Sequence, residues 1–150
     1  MKKQVTVRVT GIHARDGEPT EKIITNSSGY IEDTEDGGCI LEYVEEQDTG
    51  NGSIKINNKV NIAPDGKGIE IIRGGDMESK LAFGEGLVYD TEYHSPYGSM
   101  EMTVRTSSFD LVRTRQDEEM KLMAEYALEM GGQVMSSSMI IIEIKKSETV

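Results

Sequence analysis

Val5, Val7 and Val9 alternate with Thr6, Arg8 and Thr10. A period of two puts successive side chains on opposite faces of an extended chain, so this is the pattern of a half-buried strand. The alternation returns along most of the sequence. Lys22 to Ile31 is β-branched and polar by turns, Asp36-Gly37-Gly38 has turn chemistry, and Cys39 to Glu45 follows as a partner strand, which predicts a hairpin. Ser53 to Ala63 carries Ile54, Ile56, Val60 and Ile62, with a bend expected at Asn57-Asn58. Pro64 to Gly68 turns the chain back, and Ile69 to Arg73 is a short apolar strand ending at Gly74-Gly75. Glu78 to Phe83 and Leu87 to Tyr93 flank Gly84-Glu85-Gly86. After the turn Ser95-Pro96-Tyr97-Gly98, Met100, Met102, Val104 and Thr106 line one strand face, and Phe109 to Thr114 continues beyond Ser107-Ser108.

Asp117 to Met130 fits two patterns. Its residues are strong helix formers, and Met120, Met123, Ala124, Ala127 and Leu128 share a helical face. Met120, Leu122, Ala124, Tyr126 and Leu128 equally share a strand face. Gly131-Gly132 and the strand-like run Val134 to Ile144 favour the strand, as an antiparallel neighbour across a short turn. Short strands separated by turns at this spacing predict a sandwich or barrel. An Ile-rich strand such as Met139 to Ile144 left at an edge recruits other chains. Closing the sheet with that strand near Val5–Val9 removes the edge, so the expectation is one antiparallel barrel domain over 1–150, of about ten strands.

Composition agrees with a globular chain: 36% of residues are hydrophobic and 16 are glycine. The net charge of −11 repels phosphate backbones and anionic membranes, which argues against a nucleic-acid or membrane partner. Cys39 is the only cysteine, so no intramolecular disulfide forms. The N-terminal stretch is interrupted by polar residues and lacks a signal-peptide core, and the longest apolar run is Met139 to Ile142. These features predict a cytoplasmic protein.

Catalytic signatures are missing: there is no nucleophile elbow, phosphate loop or dinucleotide fingerprint. His13, His94 and Cys39 are too few and too scattered for a zinc site, and Cys39 beside Ile40 and Leu41 reads as a small buried hydrophobe. Asp33 to Gly38 is acidic without the ligand spacing of a calcium loop. No catalytic residue, metal or cofactor is expected. The nine methionines suit core filling, or an adaptable cavity wall. Arg73 shares a face with Ile69 and Ile71. If that face points inward, the guanidinium needs an anionic partner or a ligand carboxylate, and Glu42, between Leu41 and Tyr43, is one candidate partner. An Arg at the strand end reaching solvent is the other reading.

Several of these segments carry a family resemblance. Ile71-Ile72-Arg73-Gly74-Gly75, Leu81-Ala82-Phe83, Tyr93-His94-Ser95-Pro96-Tyr97-Gly98 and the acidic Leu41-Glu42-Tyr43-x-Glu45-Glu46 stretch resemble the YwiB-like family of uncharacterised bacterial β-barrel proteins. Ser95 stands where that family usually has Thr, which keeps the hydroxyl, and the family's strand-ending Thr is Thr106 here. The resemblance spans about residues 4 to 144. It implies an all-β, calycin/lipocalin-like closed barrel of about 8–10 strands, with room for one short helix or turn. It also implies a strand at Met120 to Met130, and it brings no established reaction.

A barrel of this size either fills with side chains or holds one small ligand. The first functional expectation is therefore a binding barrel for a small apolar or carboxylate-bearing molecule, its pocket lined by Arg73, Tyr43, Glu42, Phe83, Tyr93 and Met102. Pro96, Tyr97 and Gly98 are read as structural turn residues. The second is a protein-interaction or regulatory module, a filled barrel whose acidic surface selects a basic protein partner. Both are compatible with a monomer or a homodimer. An enzyme is the least favoured, because no nucleophile–base or metal set is visible.

Overall fold

The computed structural model describes residues 2–48, 50–75, 79–95, 98–114 and 119–147, and for residues 47, 48 and 93–95 the backbone only. The elements are β1 (Lys2–Ala14), β2 (Glu21–Asp33), β3 (Cys39–Asp48), β4 (Ser53–Ile62), β5 (Gly68–Gly75), β6 (Ser79–Gly84), β7 (Val88–Ser95), β8 (Gly98–Arg113), β9 (Glu119–Met130) and β10 (Gln133–Lys146). All pair antiparallel in one ladder, in the order β6-β5-β4-β3-β2-β1-β10-β9-β8-β7. β1 and β10 meet in the middle of that ladder, from Val5 opposite Lys146 to Ala14 opposite Ser137. The Ile-rich β10 is therefore never an edge: it lies between β9 and β1. The ends of the ladder are β6 and β7, which lie side by side across a tight connection closed by the Leu87 N–H bond to Gly84 O. The Thr91 hydroxyl donates to the Lys80 carbonyl across this seam. The result is a nearly closed up-and-down barrel. Among the described residues no helix is long and apolar enough to cross a membrane.

The inner face follows the alternation. Leu41, Val60 and Ile71 stand opposite one another on β3, β4 and β5, and Val104, Leu122, Ala124, Ile142 and Ile144 meet them across the interior as one buried core. β9 is a strand despite its helix-forming residues. Ladder partners on both sides bury Leu122, Ala124 and Tyr126, and that cooperative pairing overrides weak local propensity. Phe109 to Arg113 continues β8 beyond Ser107-Ser108, as the sequence pattern has it. A register shift between Thr106 and Ser108 lets Phe109 return to the inner face after Thr106. β4 runs unbent through Asn57-Asn58, with Asn58 turned inward and buried.

β2 and β3 pair only between Gly29–Asp33 and Cys39–Tyr43. Beyond Gly29 they part, and β3 continues alongside β4 alone. Gly29 sits at the fork, where a Cβ would collide with the Glu42 carbonyl and come within 2.9 Å of Tyr43 Cβ. Gly29→Ala must therefore displace β3, at an expected cost of about 1–3 kcal/mol. The readout is a lower urea midpoint at unchanged slope; an unshifted midpoint would mean that the two strands separate freely at this level.

Candidate ligand-binding site

Alternation along β3 turns Tyr43 and Glu45 inward and Glu42 outward. Cross-strand register then sets Tyr43, Asn58 and Arg73 in one inward row across β3, β4 and β5. Arg73 Nη2 reaches Glu45 Oε2 at 3.3 Å, with side-chain exposures of 26% and 10%. Asn58, 4% exposed, donates to the Ile56 carbonyl at 3.4 Å. A second inward row runs across β8, β9, β10 and β1, through Thr106, Tyr126, Ser138 and His13. His13 Nδ1 and Ser138 Oγ are hydrogen-bonded at 2.8 Å, and Ser138 also bonds Ser136 Oγ at 3.2 Å and the Tyr126 hydroxyl. Across the interior the Phe83 ring tilts against Tyr126, centroids 4.8 Å apart. Thr106 Oγ1 has no hydrogen-bond partner among the described residues.

The electrostatics tie the two rows together. Burial pushes the Tyr43 phenol up to about 12, with the Glu45 charge adding and the Arg73 charge opposing. Burial also raises Tyr126, while its Ser138 bond and Arg73 act the other way. Both phenols therefore stay protonated at neutral pH and present donors. The sign for stability is fixed: a proton held more tightly in the folded state stabilises fully below pH 10 and is lost as pH climbs through the folded value. Tyr43 should remove on the order of 2 kcal/mol between about pH 10 and about pH 12. Comparing urea midpoints of wild type and Tyr43→Phe across that interval measures it; parallel curves would show that Tyr43 ionises freely.

Arg73 is also reachable from outside. An open groove of about 470 Å³ crosses the β6–β7 seam, lined by Arg73, Ser79, Tyr89 and Thr91 together with the outward-facing Ile72, Lys80, Asp90 and Glu92. That lies within the roughly 300–1,000 Å³ of small-molecule sites. Tyr89 stands opposite the buried Val104 and Thr91 opposite the half-buried Met102, so both face the interior.

Of the residues expected to form a pocket, the structure groups Arg73 and Tyr43 directly, Phe83 through Tyr126, and Met102 beside Thr91 at the seam. Glu42 is not the internal partner of Arg73: it lies on the outer face, half-exposed, 4.0 Å from Lys2 Nζ. One residue cannot share a strand face with its immediate neighbour Tyr43, and Glu45, two positions on, takes the role. The side chain of Tyr93 and residues Pro96 and Tyr97 lie outside the described residues. Gly98 opens β8 at φ 120°, a backbone angle that favours glycine. Cys39 is buried, as its apolar neighbours imply. Sequence reading missed Glu45, Asn58, Thr106, Tyr126 and Ser138. Parity from Tyr43 points to Glu45; the others need the register between strands. Among the described residues no group of His, Cys, Asp or Glu could hold a metal.

A family model described as a domain of unknown function (DUF1934) matches residues 7–142. The crystal structure of ywiB protein from Bacillus subtilis superposes with a TM-score of 0.81 at 19% identity, covering 98% of this chain and 94% of that one. At that identity the likeness shows the fold, and it agrees with the YwiB-like resemblance carried by the Arg73 and Tyr93-to-Gly98 segments. A LolA superfamily protein, NE2245 from Nitrosomonas europaea, matches at a TM-score of 0.32 and 10% identity over 99% of this chain and 88% of that one. No curated protein matches the chain.

Proposed function

The chain belongs to DUF1934, a family of unknown function, and from its inward-facing Arg73–Glu45 pair we propose that this lipocalin-like barrel binds a small molecule carrying a carboxylate. The observation that carries the reading is the placement of a guanidinium against a groove of ligand size, in a barrel whose remaining interior is largely apolar. Drawing a charged pair out of water costs more than its attraction commonly returns, so a barrel built for stability alone does better without one. The guanidinium fork holds five donors matched to a carboxylate, and it meets Glu45 Oε2 through Nη2. A ligand carboxylate would dock there, its apolar body would lie along Tyr89 and Met102 at the seam, and the protonated Tyr43 hydroxyl would offer a further donor.

The net charge of −11 and the single cysteine support a cytoplasmic setting with no nucleic-acid or membrane partner. A filled apolar half of the barrel favours the second reading, an acidic module for a basic protein. Native mass spectrometry of freshly isolated protein separates the two. A bound small acid supports the proposal; a co-purifying basic protein with no small molecule overturns it. Calorimetry with apolar monocarboxylates should then show about tenfold weaker binding in Arg73→Lys and tighter binding in Glu45→Gln, which removes the competing carboxylate. Equal affinity for the matching neutral alcohols would also rule it out.

A further inference from the structure

At the far end of the barrel from the Arg73–Glu45 pair, three turns stand around one row of outward-facing side chains. Ile40, Asn61, Glu70 and Ala82 lie opposite one another across β3, β4, β5 and β6. Around them rise the turns at 34–38, 63–68 and 84–87, and together they border an open groove of about 750 Å³. The groove is independent of Arg73, which does not line it.

Its walls are held in place by their own hydrogen bonds. Thr34 N–H donates to Gly38 O at 2.9 Å and Gly37 N–H to Thr34 O at 3.1 Å. Gly66 N–H donates to Ala63 O at 3.0 Å, Ala63 N–H to Gly68 O at 3.0 Å, and Lys67 N–H to the Asp65 carboxylate at 2.9 Å. A Cβ on Gly38 would come within 2.5 Å of Ile62 O, so the first turn rests directly on β4. A groove whose walls are already ordered loses little conformational freedom when it is filled.

Its chemistry selects a charge. Apolar surface comes from Ile40, Ala63, Pro64, Ala82 and Leu87, and three carboxylates, Asp36, Glu70 and Glu85, stand against two ammoniums, Lys67 in the lining and Lys80 paired with Glu70. The Thr34 hydroxyl and the Gly38 N–H hold the Asp36 carboxyl below its ordinary range, so it stays ionised. Glu70, at the centre of the floor, accepts from Asn61 at 3.4 Å and pairs with Lys80 at 3.4 Å. The field of the whole chain, at −11, has the same sign as the rim and concentrates cations there.

We propose that this end groove is a second binding site, for small organic amines with an apolar body, the ammonium meeting Glu70 and the rim carboxylates and the body lying along Ile40, Pro64 and Leu87. The test titrates the full chain with phenethylamine, phenylacetate and benzyl alcohol, followed by backbone amide shifts. Phenethylamine should move the amides of Ile40, Ala63 and Leu87 saturably, about tenfold more tightly than either control, and less tightly as salt rises. Glu70→Gln and Glu85→Gln together should weaken it about tenfold, while Arg73→Lys leaves it unchanged. Equal phenylacetate shifts at those three amides, phenethylamine shifts centred on Arg73, undiminished binding in the Gln variants, or binding confined to a polybasic peptide would each overturn the proposal.

Discussion

Phe83→Ala is expected to destabilise the barrel by about 3–5 kcal/mol, the largest effect of any single truncation considered. Phe83 is 1% exposed and lies at the closing end of β6, where its ring crosses the interior to Tyr126 at 4.8 Å. Removing the ring forfeits its transfer free energy and opens a void that neighbours on three strands cannot close, because each is pinned by a ladder on at least one side. β6 pairs with β5 alone, so the seam has no second ladder to hold it in place. Urea unfolding at neutral pH measures the loss. A change of only about 1 kcal/mol would mean that the interior beside Tyr126 is loosely packed, and a hollow barrel would then replace a filled one in that region.

Arg73→Met alone should cost about 3 kcal/mol, whereas Arg73→Met with Glu45→Leu should return to within about 1 kcal/mol of wild type. The single change leaves the Glu45 carboxylate, 10% exposed, without the guanidinium 3.3 Å away. The double change replaces an ion pair by apolar groups of similar volume, which removes the desolvation cost along with the attraction. Arg73 keeps about a quarter of its surface in water, so the single-variant cost sits at the low end of the range for buried pairs. This double-mutant cycle separates stability from function. A double variant that is stable yet no longer binds carboxylates shows the pair is kept for its ligand. A double variant as unstable as Arg73→Met shows instead that the pair holds the strands together, and the binding proposal loses its main support.

Much of the barrel was legible from alternation alone. The β-branched runs and Gly turns located nearly every strand, and the hazard of an exposed Ile-rich strand pointed to the β1–β10 pairing. What escaped depends on neighbours rather than on local pattern. β9 is the exception: its helix-forming residues leave the local pattern open, but the Gly131-Gly132 turn and the run after it pointed to the strand that β8 and β10 hold. The bulge at Ser107 inverts the parity of β8, so its inner face passes from Thr106 to Phe109, which strict alternation does not foretell. The seam lies between β6 and β7, consecutive in sequence, where a hairpin is the ordinary expectation. At the candidate site Arg73 and Tyr43 were visible because a cation and a phenol on apolar faces stand out. Glu45 lies three residues beyond Glu42, on the opposite face of β3, where parity from Tyr43 puts it. Asn58, Thr106 and Ser138 look like ordinary polar positions until the register turns them inward.

Ladder neighbours other than β1 and β10 are also neighbours in sequence, so each of those contacts can form by closing a short loop. The β1–β10 ladder is different, because it joins Val5 to Lys146 across almost the whole chain. Loop-closure entropy rises with the length closed, and this one ladder therefore carries most of the fold's contact order. The remaining strands can assemble as two independent meanders, β1 to β6 and β7 to β10, before the termini meet. Both meanders become a barrel only when the first and last strands find each other, as the Ser147 N–H does when it reaches Gln4 O at 3.0 Å.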